Sequence, residues 1–256
     1  MLSWARKRQL IYGASAVFLF ALIFAAPLIS STIRGPSCSD GRQNGGETGV
    51  DCGGGCALLC PNTAREPRVL WQRVFREGGG IASAVFYAEN LNQNAGAFDA
   101  PYQVKVYDSV GLLIAEKRVT ATIPPDGPFA VFAPNLFVGE RIPARAFFER
   151  TSSIVWRRDV LPASAMRVLD IRLSTSPQAR VDARIITDSQ KELSGNAVAI
   201  VYDASGNAIG ASGTIVEEVS EAMPKSMSFI WRAPFSTTPV RAEVLLSPLE
   251  YGAPAP

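Results

Sequence analysis

The hydrophobic pattern divides the chain into one long apolar run and a series of short ones. The long run covers Leu10–Ile29, and no charged side chain lies between Arg8 and Arg34. A helix rises about 1.5 Å per residue, and the hydrocarbon core of a bilayer is about 30 Å thick. The run therefore predicts a membrane-spanning helix, which we place at residues 9–33, behind a cytoplasmic tail at 1–8.

The residues that flank this run predict its orientation and its fate. Arg6, Lys7 and Arg8 precede it, and positive charge favours the cytoplasmic side of a membrane. The run is longer than the apolar region of a cleaved signal peptide, and Pro27 occupies an unfavourable place for cleavage. We expect an uncleaved, single-pass anchor in the cell membrane, in contact with lipid, with the rest of the chain outside the cytoplasm.

Beyond Pro61 the apolar runs are short, and Gly, Pro, Asn and Asp separate them. Runs such as "YQVKVYD" and "VAIVYD" are rich in β-branched and aromatic residues and too short for amphipathic helices. Several such runs at regular spacing are typical of a sandwich or a barrel. The pattern predicts an all-β fold for this part of the chain.

One stretch of this part recurs. "VYDSVGLLIA" at 106–115 is followed about 95 residues later by "VYDASGNAIG" at 201–210. An immunoglobulin-like domain has about 100 residues, whereas solenoid repeats are shorter. The recurrence predicts two tandem immunoglobulin-like β-sandwiches at 66–162 and 166–248, followed by a disordered tail at 249–256.

Each copy places an aspartate three residues before a glycine, Asp108 with Gly111 and Asp203 with Gly206. Aspartate accepts local backbone hydrogen bonds, and glycine tolerates the positive φ that tight turns require. These four residues are therefore predicted to build turns and to have no catalytic role.

The two copies resemble the bacterial FxLYD-type immunoglobulin-like domain, whose signature is Phe-x-Leu-Tyr-Asp before a glycine turn. The matching residues are Tyr107, Asp108 and Gly111 in the first copy and Tyr202, Asp203 and Gly206 in the second. Valine or alanine replaces the phenylalanine and leucine, at Val104, Val106, Ala199 and Val201. The resemblance implies a β-sandwich and attaches no activity to it.

All four cysteines lie in one glycine-rich stretch, residues 38–60, which we call the cysteine segment: Cys38, Cys52, Cys56 and Cys60. Outside the cytoplasm thiols persist as disulfides, so we expect two disulfides in a segment too small to bury a core. Three pairings are open. The alternative is a four-cysteine zinc site, which requires a reducing environment.

Oxygen-bearing side chains alternate with glycines in the same segment: Asp40, Asn44, Glu47 and Asp51. Counted from Asp40, the spacing approaches a calcium-binding loop of the EF-hand type, but Arg42 stands where a ligand belongs. These four residues are calcium candidates, and the alternative is that they hold local turns. No other cofactor is predicted.

The cysteine segment resembles a pattern of secreted and surface-attached microbial proteins, C-x-D-G-x-x-N-G-x-E-T-x-x-D-C-G-G-x-C. The matching residues are Cys38, Asp40, Gly41, Asn44, Gly45, Glu47, Thr48, Asp51, Cys52, Gly53, Gly54 and Cys56. The resemblance implies an extracellular spacer module and no catalyst.

Composition then narrows the function. The chain has no histidine, which excludes Ser-His-Asp triads, Cys-His pairs and HExxH zinc sites. A net charge of +2 gives no basic field for nucleic acid.

We therefore expect no enzyme but a membrane-anchored cell-surface protein with structural or adhesive interactions. Its partner, an unknown protein or cell-surface component, and its oligomeric state stay open. The alternatives are an accessory subunit of an envelope or secretion complex, in which the helix itself makes contacts, and a surface hydrolase that works without histidine.

Overall fold

The computed structural model describes residues 4–33 and 35–250. They fall into two compact units, one within residues 1–56 and the other within 57–256. The first unit contains the predicted helix, α1, at Trp4–Ile33, which begins ahead of residue 9. Its stretch Arg6–Phe24 is long and apolar enough to cross a membrane.

The second unit, called the β-body below and described over residues 57–250, confirms the all-β prediction for this part of the chain. It begins with six strands: β1 Arg68–Gly78, β2 Ile81–Asn90, β3 Ala97–Asp108, β4 Leu113–Ile123, β5 Gly127–Phe137 and β6 Pro143–Arg150. A short 3-10 helix follows at Ala163–Ala165. Six further strands complete it: β7 Arg167–Ser174, β8 Arg180–Ile186, β9 Leu193–Asp203, β10 Ala208–Val219, β11 Lys225–Ile230 and β12 Pro239–Glu250.

The strands form four antiparallel sheets of three strands each, in the orders β1-β2-β5, β4-β3-β6, β11-β8-β7 and β10-β9-β12. We divide the β-body into two halves, β1–β6 and β7–β12. The order of pairing is the same in both, because adding six to each strand number of the first half gives the strand orders of the second.

Each half has its own apolar core. In the first half Phe86, on β2, packs with Phe129 and Phe148 between the sheets β1-β2-β5 and β4-β3-β6. In the second half Phe229 and Trp231 lie in the core between β11-β8-β7 and β10-β9-β12. Alternate strand residues point to opposite faces of a sheet, so only every second residue of a strand has to be apolar to build the core on one face.

A third apolar cluster joins the two halves. Val85 and Ala130 of the sheet β1-β2-β5 pack against Val198, Ile200 and Ala211 of the sheet β10-β9-β12. Two of the four sheets are consequently buried on both faces. The cluster makes the two halves one body with the layer order β4-β3-β6, β1-β2-β5, β10-β9-β12, β11-β8-β7.

The two outermost faces of this four-layer arrangement carry charged side chains beside exposed apolar ones, Phe147 on one face and Ile230 on the other. On the β4-β3-β6 face Lys105 Nζ lies 2.6 Å from Glu149 Oε2. On the β11-β8-β7 face Arg180 Nε lies 2.8 Å from Asp182 Oδ2, and Arg184 is exposed on the same strand. The faces that meet in the middle are apolar, and the faces that end the layers carry charge.

The C-terminal boundary differs from the expectation. Leu249 and Glu250, which the sequence pattern assigned to a disordered tail, are the last residues of β12 and pair with β9. The continuous ladder with β9 supplies backbone partners for both residues, which is why the strand extends this far. The rest of the predicted tail, 251–256, lies outside the described residues.

Candidate functional site

The cysteine segment contains no free thiol. One disulfide joins Cys38 to Cys56, and Cys52 and Cys60 are also disulfide-bonded. Disulfide formation excludes the alternative of a four-thiolate zinc site, because bonded sulfurs cannot act as thiolate ligands.

The calcium candidates lie close together, and their oxygens accept hydrogen bonds from the segment's own backbone. Asp51 accepts from the backbone N–H of Gly41 with both carboxylate oxygens, at 3.1 and 3.0 Å. Glu47 Oε2 accepts from the backbone N–H groups of Asn44 and Asp51. The two bonds to Glu47 span three and four residues and close local turns, as the alternative interpretation requires. The bonds from Gly41 to Asp51 span ten residues and tie two parts of the segment together.

Asp40 acts in the same way. Its Oδ2 accepts from Asn44 Nδ2 at 2.8 Å, and its Oδ1 accepts from the backbone N–H of Arg42. The bond from Asn44 and those from the backbone hold the pKa of Asp40 below its ordinary value. Calcium binding by these residues stays a prediction.

Among the described residues, the one group of three Cys, Asp or Glu side chains close enough to share a metal ion is Cys38, Glu47 and Cys56. Glu47 Oε1 lies 3.3 Å from Cys56 Sγ. A disulfide sulfur has neither a proton to donate nor a thiolate charge, so this group offers a metal a single carboxylate.

The two Asp-Gly turns have matching hydrogen bonds. In the first, the N–H of Gly111 donates to the carbonyl of Asp108, whose carboxylate accepts from Val110 and Leu112. In the second, Gly206 donates to the carbonyl of Asp203, and the Asp203 carboxylate accepts from Ser205 and Asn207. Both glycines have positive φ, 87° and 77°.

The surroundings of the two turns differ. Asp108 is buried and pairs with Arg141 at 3.0 Å; the backbone N–H of Leu112 and this guanidinium lower its pKa. The second turn instead receives Arg73 from the first half of the β-body. Arg73 donates to the carbonyl of Ala208 and to the side chain of Asn207, at 2.9 and 3.3 Å.

A carboxylate between two tyrosines also links the halves. The hydroxyl of Tyr87, on β2, donates to Glu243 Oε1 at 3.0 Å, and the hydroxyl of Tyr202, on β9, donates to Glu243 Oε2 at 3.1 Å. The guanidinium of Arg241 lies 3.9 Å from the centre of the Tyr202 ring. Burial, together with the negative charge of Glu243, raises the pKa of Tyr87 to about 12 and raises that of Tyr202 as well.

This arrangement predicts that the β-body loses stability at alkaline pH. A tyrosine whose pKa is higher in the folded than in the unfolded state stabilises the fold below its ordinary pKa of about 10, and that stabilisation disappears as pH rises through the folded value. Unfolding by urea, followed by tryptophan fluorescence, should therefore need less denaturant at each step between about pH 10 and pH 12.

The Tyr87→Phe and Tyr202→Phe double variant provides the control, because it keeps both rings and removes both hydroxyls. Its midpoint should fall less over the same pH range. A variant whose midpoint falls as steeply as that of the parent chain would show that these hydroxyls do not cause the loss.

The described β-body has a cleft of about 1010 Å³, called the edge cleft here. Its walls are β1 at 72–78, β6 at 144–147, the β9–β10 turn at 207–210 and the loop at 233–237. Apolar walls are formed by Val74 and Phe75 of β1 and by the paired rings of Trp231 and Phe235, whose centres are 5.2 Å apart.

Two backbone edges line this cleft. Among the described strands, β1 pairs with β2 alone and β6 pairs with β3 alone, so each has one side without a strand partner there. The side chain of Gln72 bridges the two strands where they approach, because its Oε1 accepts from the backbone N–H of Phe148 at 2.6 Å. Beyond this bridge, toward Gly78 and Ala144, lies the opening.

Sequence reasoning missed the edge cleft and the Tyr87–Glu243–Tyr202 contact. Both depend on residues from the two halves, and neither has a local motif. The one available signal was the continuous apolar run "IASAVFYA", since a strand without alternation is buried on both faces.

Comparison of the chain with protein-family models and with curated proteins finds no match in either set.

Proposed function

We propose that this chain is a non-catalytic, membrane-anchored surface protein that presents a rigid β-body for structural or adhesive interactions. The observation that carries the proposal is the apolar cluster around Val198 and Ile200, which joins the two halves into one body. Flexibly linked domains move relative to each other by default, whereas a large apolar contact fixes them. A fixed body holds its binding surfaces in a constant arrangement.

In this proposal α1 is a single-pass anchor with its N-terminus in the cytoplasm. The support is the apolar stretch Arg6–Phe24 together with the cationic residues at its start, Arg6, Lys7 and Arg8. The disulfides of the cysteine segment agree with an oxidising compartment outside the cytoplasm.

We also propose that each half of the β-body is an immunoglobulin-like sandwich and that the two arose as a repeat. The support is the equal order of strand pairing in the two halves and the equal hydrogen bonds of the turns at Asp108 and Asp203. Sandwiches of this kind carry binding faces and loops on a stable frame.

The test is protease digestion of intact cells that produce the full chain, followed by peptide mapping without reductant. We expect the β-body to be digested from the outside while a cytoplasmic marker survives, and we expect all four cysteines to be recovered in disulfide-linked peptides. Protection of the β-body in intact cells, with digestion only after lysis, would refute the proposed topology.

A chimera distinguishes between two roles of α1, a simple membrane anchor and a helix that binds a partner subunit. In it, residues 9–24 are replaced by a polyleucine segment of equal length, and Arg6, Lys7 and Arg8 are kept. Surface exposure of the β-body should be unchanged. If the chimera reaches the surface but no longer co-purifies with proteins that the parent chain binds, the accessory-subunit alternative is correct.

A further inference from the structure

The outer edge of β6 has backbone groups that point into the edge cleft. In an antiparallel ladder, successive residues direct their N–H and C=O groups to opposite sides of the strand. The N–H of Phe148 points away from β3, because it donates to Gln72. Ala146, two residues earlier, therefore points its N–H and C=O the same way, and among the described residues no group bonds to them on that side.

An unpaired strand edge of this kind can accept an additional strand from another chain. The Gln72 bridge closes the β6 edge at Phe148, and Ala146 is 4% exposed, so an added strand would run along the exposed Ala144 and meet the backbone of Ala146 inside the cleft. Ligand pockets commonly have volumes of about 300–1,000 Å³, and the edge cleft lies at the upper end of that range. It therefore has room for a short extended segment with side chains.

The charges of the edge cleft favour an acidic segment. Three arginines line it, Arg73, Arg76 and Arg145, against two carboxylates, Glu77 and Asp203. Arg73 and Asp203 are occupied within the β-body, by the carbonyl of Ala208 and by backbone N–H groups respectively.

The two remaining arginines are Arg76, on β1, and Arg145, on β6. Both are exposed, and neither forms an ion pair with another described residue. They lie on the two strands that bound the cleft. Together they offer positive charge on both sides of an inserted strand.

We propose that the edge cleft binds an extended, acidic segment of a separate protein, which adds a strand to β6 and places carboxylates at Arg76 and Arg145. This inference rests on the proposed function, since it names the kind of partner that the β-body would bind. Backbone hydrogen bonds along β6 would supply the affinity, and the two arginines would select the charge.

The experiment measures binding of a fluorescein-labelled peptide of about six residues to the full chain in a nanodisc of neutral lipid. The probe alternates glutamate with valine, since valine favours the extended conformation. One matched probe replaces each glutamate with lysine, and another carries N-methyl groups on the backbone nitrogens that would pair with β6. Fluorescence anisotropy gives each dissociation constant.

We expect the glutamate probe to bind and both matched probes to bind much more weakly. The double variant Arg76→Ala with Arg145→Ala should weaken binding of the glutamate probe about tenfold, because the binding free energies of two exposed ion pairs add to roughly that factor. The matched control is Arg118→Ala with Arg172→Ala, which removes two arginines outside the cleft and should leave binding unchanged.

Several results would overturn the proposal. Absence of binding by the glutamate probe, equal binding by the lysine or N-methylated probe, or an equal loss in the two double variants would each do so. Self-association of the chain that blocks the probe would identify a second copy as the occupant and would also overturn it. None of these results changes the protease test of membrane topology, so the two proposals fail separately.

Discussion

Replacing Ile200 with alanine is expected to lower the free energy of unfolding of the β-body by about 2–5 kcal/mol. Ile200 is 0% exposed and lies in the apolar cluster between the halves. The substitution removes buried methyl groups and leaves a cavity that two packed sheets cannot readily close. The measurement is urea unfolding of the full chain in a nanodisc, followed by tryptophan fluorescence.

The chain offers a matched control at Ile215, on β10 of the same half. Its side chain is 64% exposed, so Ile215→Ala should change the free energy of unfolding by less than about 0.5 kcal/mol. Equal effects of the two substitutions would mean that the β-body does not bury Ile200 between its halves. A shared core further predicts that the parent chain's halves unfold in one transition.

Removal of the Cys38–Cys56 disulfide is the second change with a large expected effect. The two cysteines are 18 residues apart, and closing a loop of about that length stabilises a fold by about 3 kcal/mol. Within residues 35–56 few side chains are buried, so little apolar packing compensates for the loss. The variant Cys38→Ser with Cys56→Ser should therefore open this part of the cysteine segment.

Hydrogen exchange of the full chain, measured by mass spectrometry, tests this expectation. Amides such as those of Gly41 and Asp51, which donate to carboxylates, should exchange much faster in the double variant. Ser37→Ala is the control, because it removes only an exposed contact between Ser37 and Ser39. Unchanged protection in the double variant would mean that the carboxylate hydrogen bonds hold the turns without the disulfide.

Local patterns were sufficient to predict the elements of this chain. The charge-free run gave α1, and the alternation in stretches such as "YQVKVYD" gave strands of the β-body. The Asp-Gly spacing at Asp108 predicted a turn at that place because both residues act within a few positions of each other. Such features depend on neighbours in sequence, which a sequence displays directly.

The contact between the halves could not be predicted in the same way. In "VAIVYD" the residues Val198 and Ile200 face the other half, while Ala199 and Val201 face the core of their own. All four are apolar, so the pattern indicates burial on both faces without naming what covers each face. The sequence gives even less indication of the edge cleft, because the backbone N–H and C=O groups of Ala146 are present in every residue type except proline.

The calcium candidates illustrate another limit. Asp and Asn beside glycine serve both as ion ligands and as acceptors for turns, so residue types alone leave the choice open. The hydrogen bonds of Asp40 and Asp51 to nearby backbone show how their oxygens are used in this chain. A sequence does not state which backbone N–H groups come within reach.

The charged outer faces of the four-layer arrangement limit how far the chain can assemble. If the outer face with Lys105 and Glu149, or the one with Arg180 and Asp182, were as apolar as the inner faces, copies could stack end to end without closing into a ring. Burying these ion pairs would instead require their desolvation, which costs several kcal/mol per ion. The ion pairs on the two outer faces therefore oppose open-ended stacking of copies of the β-body.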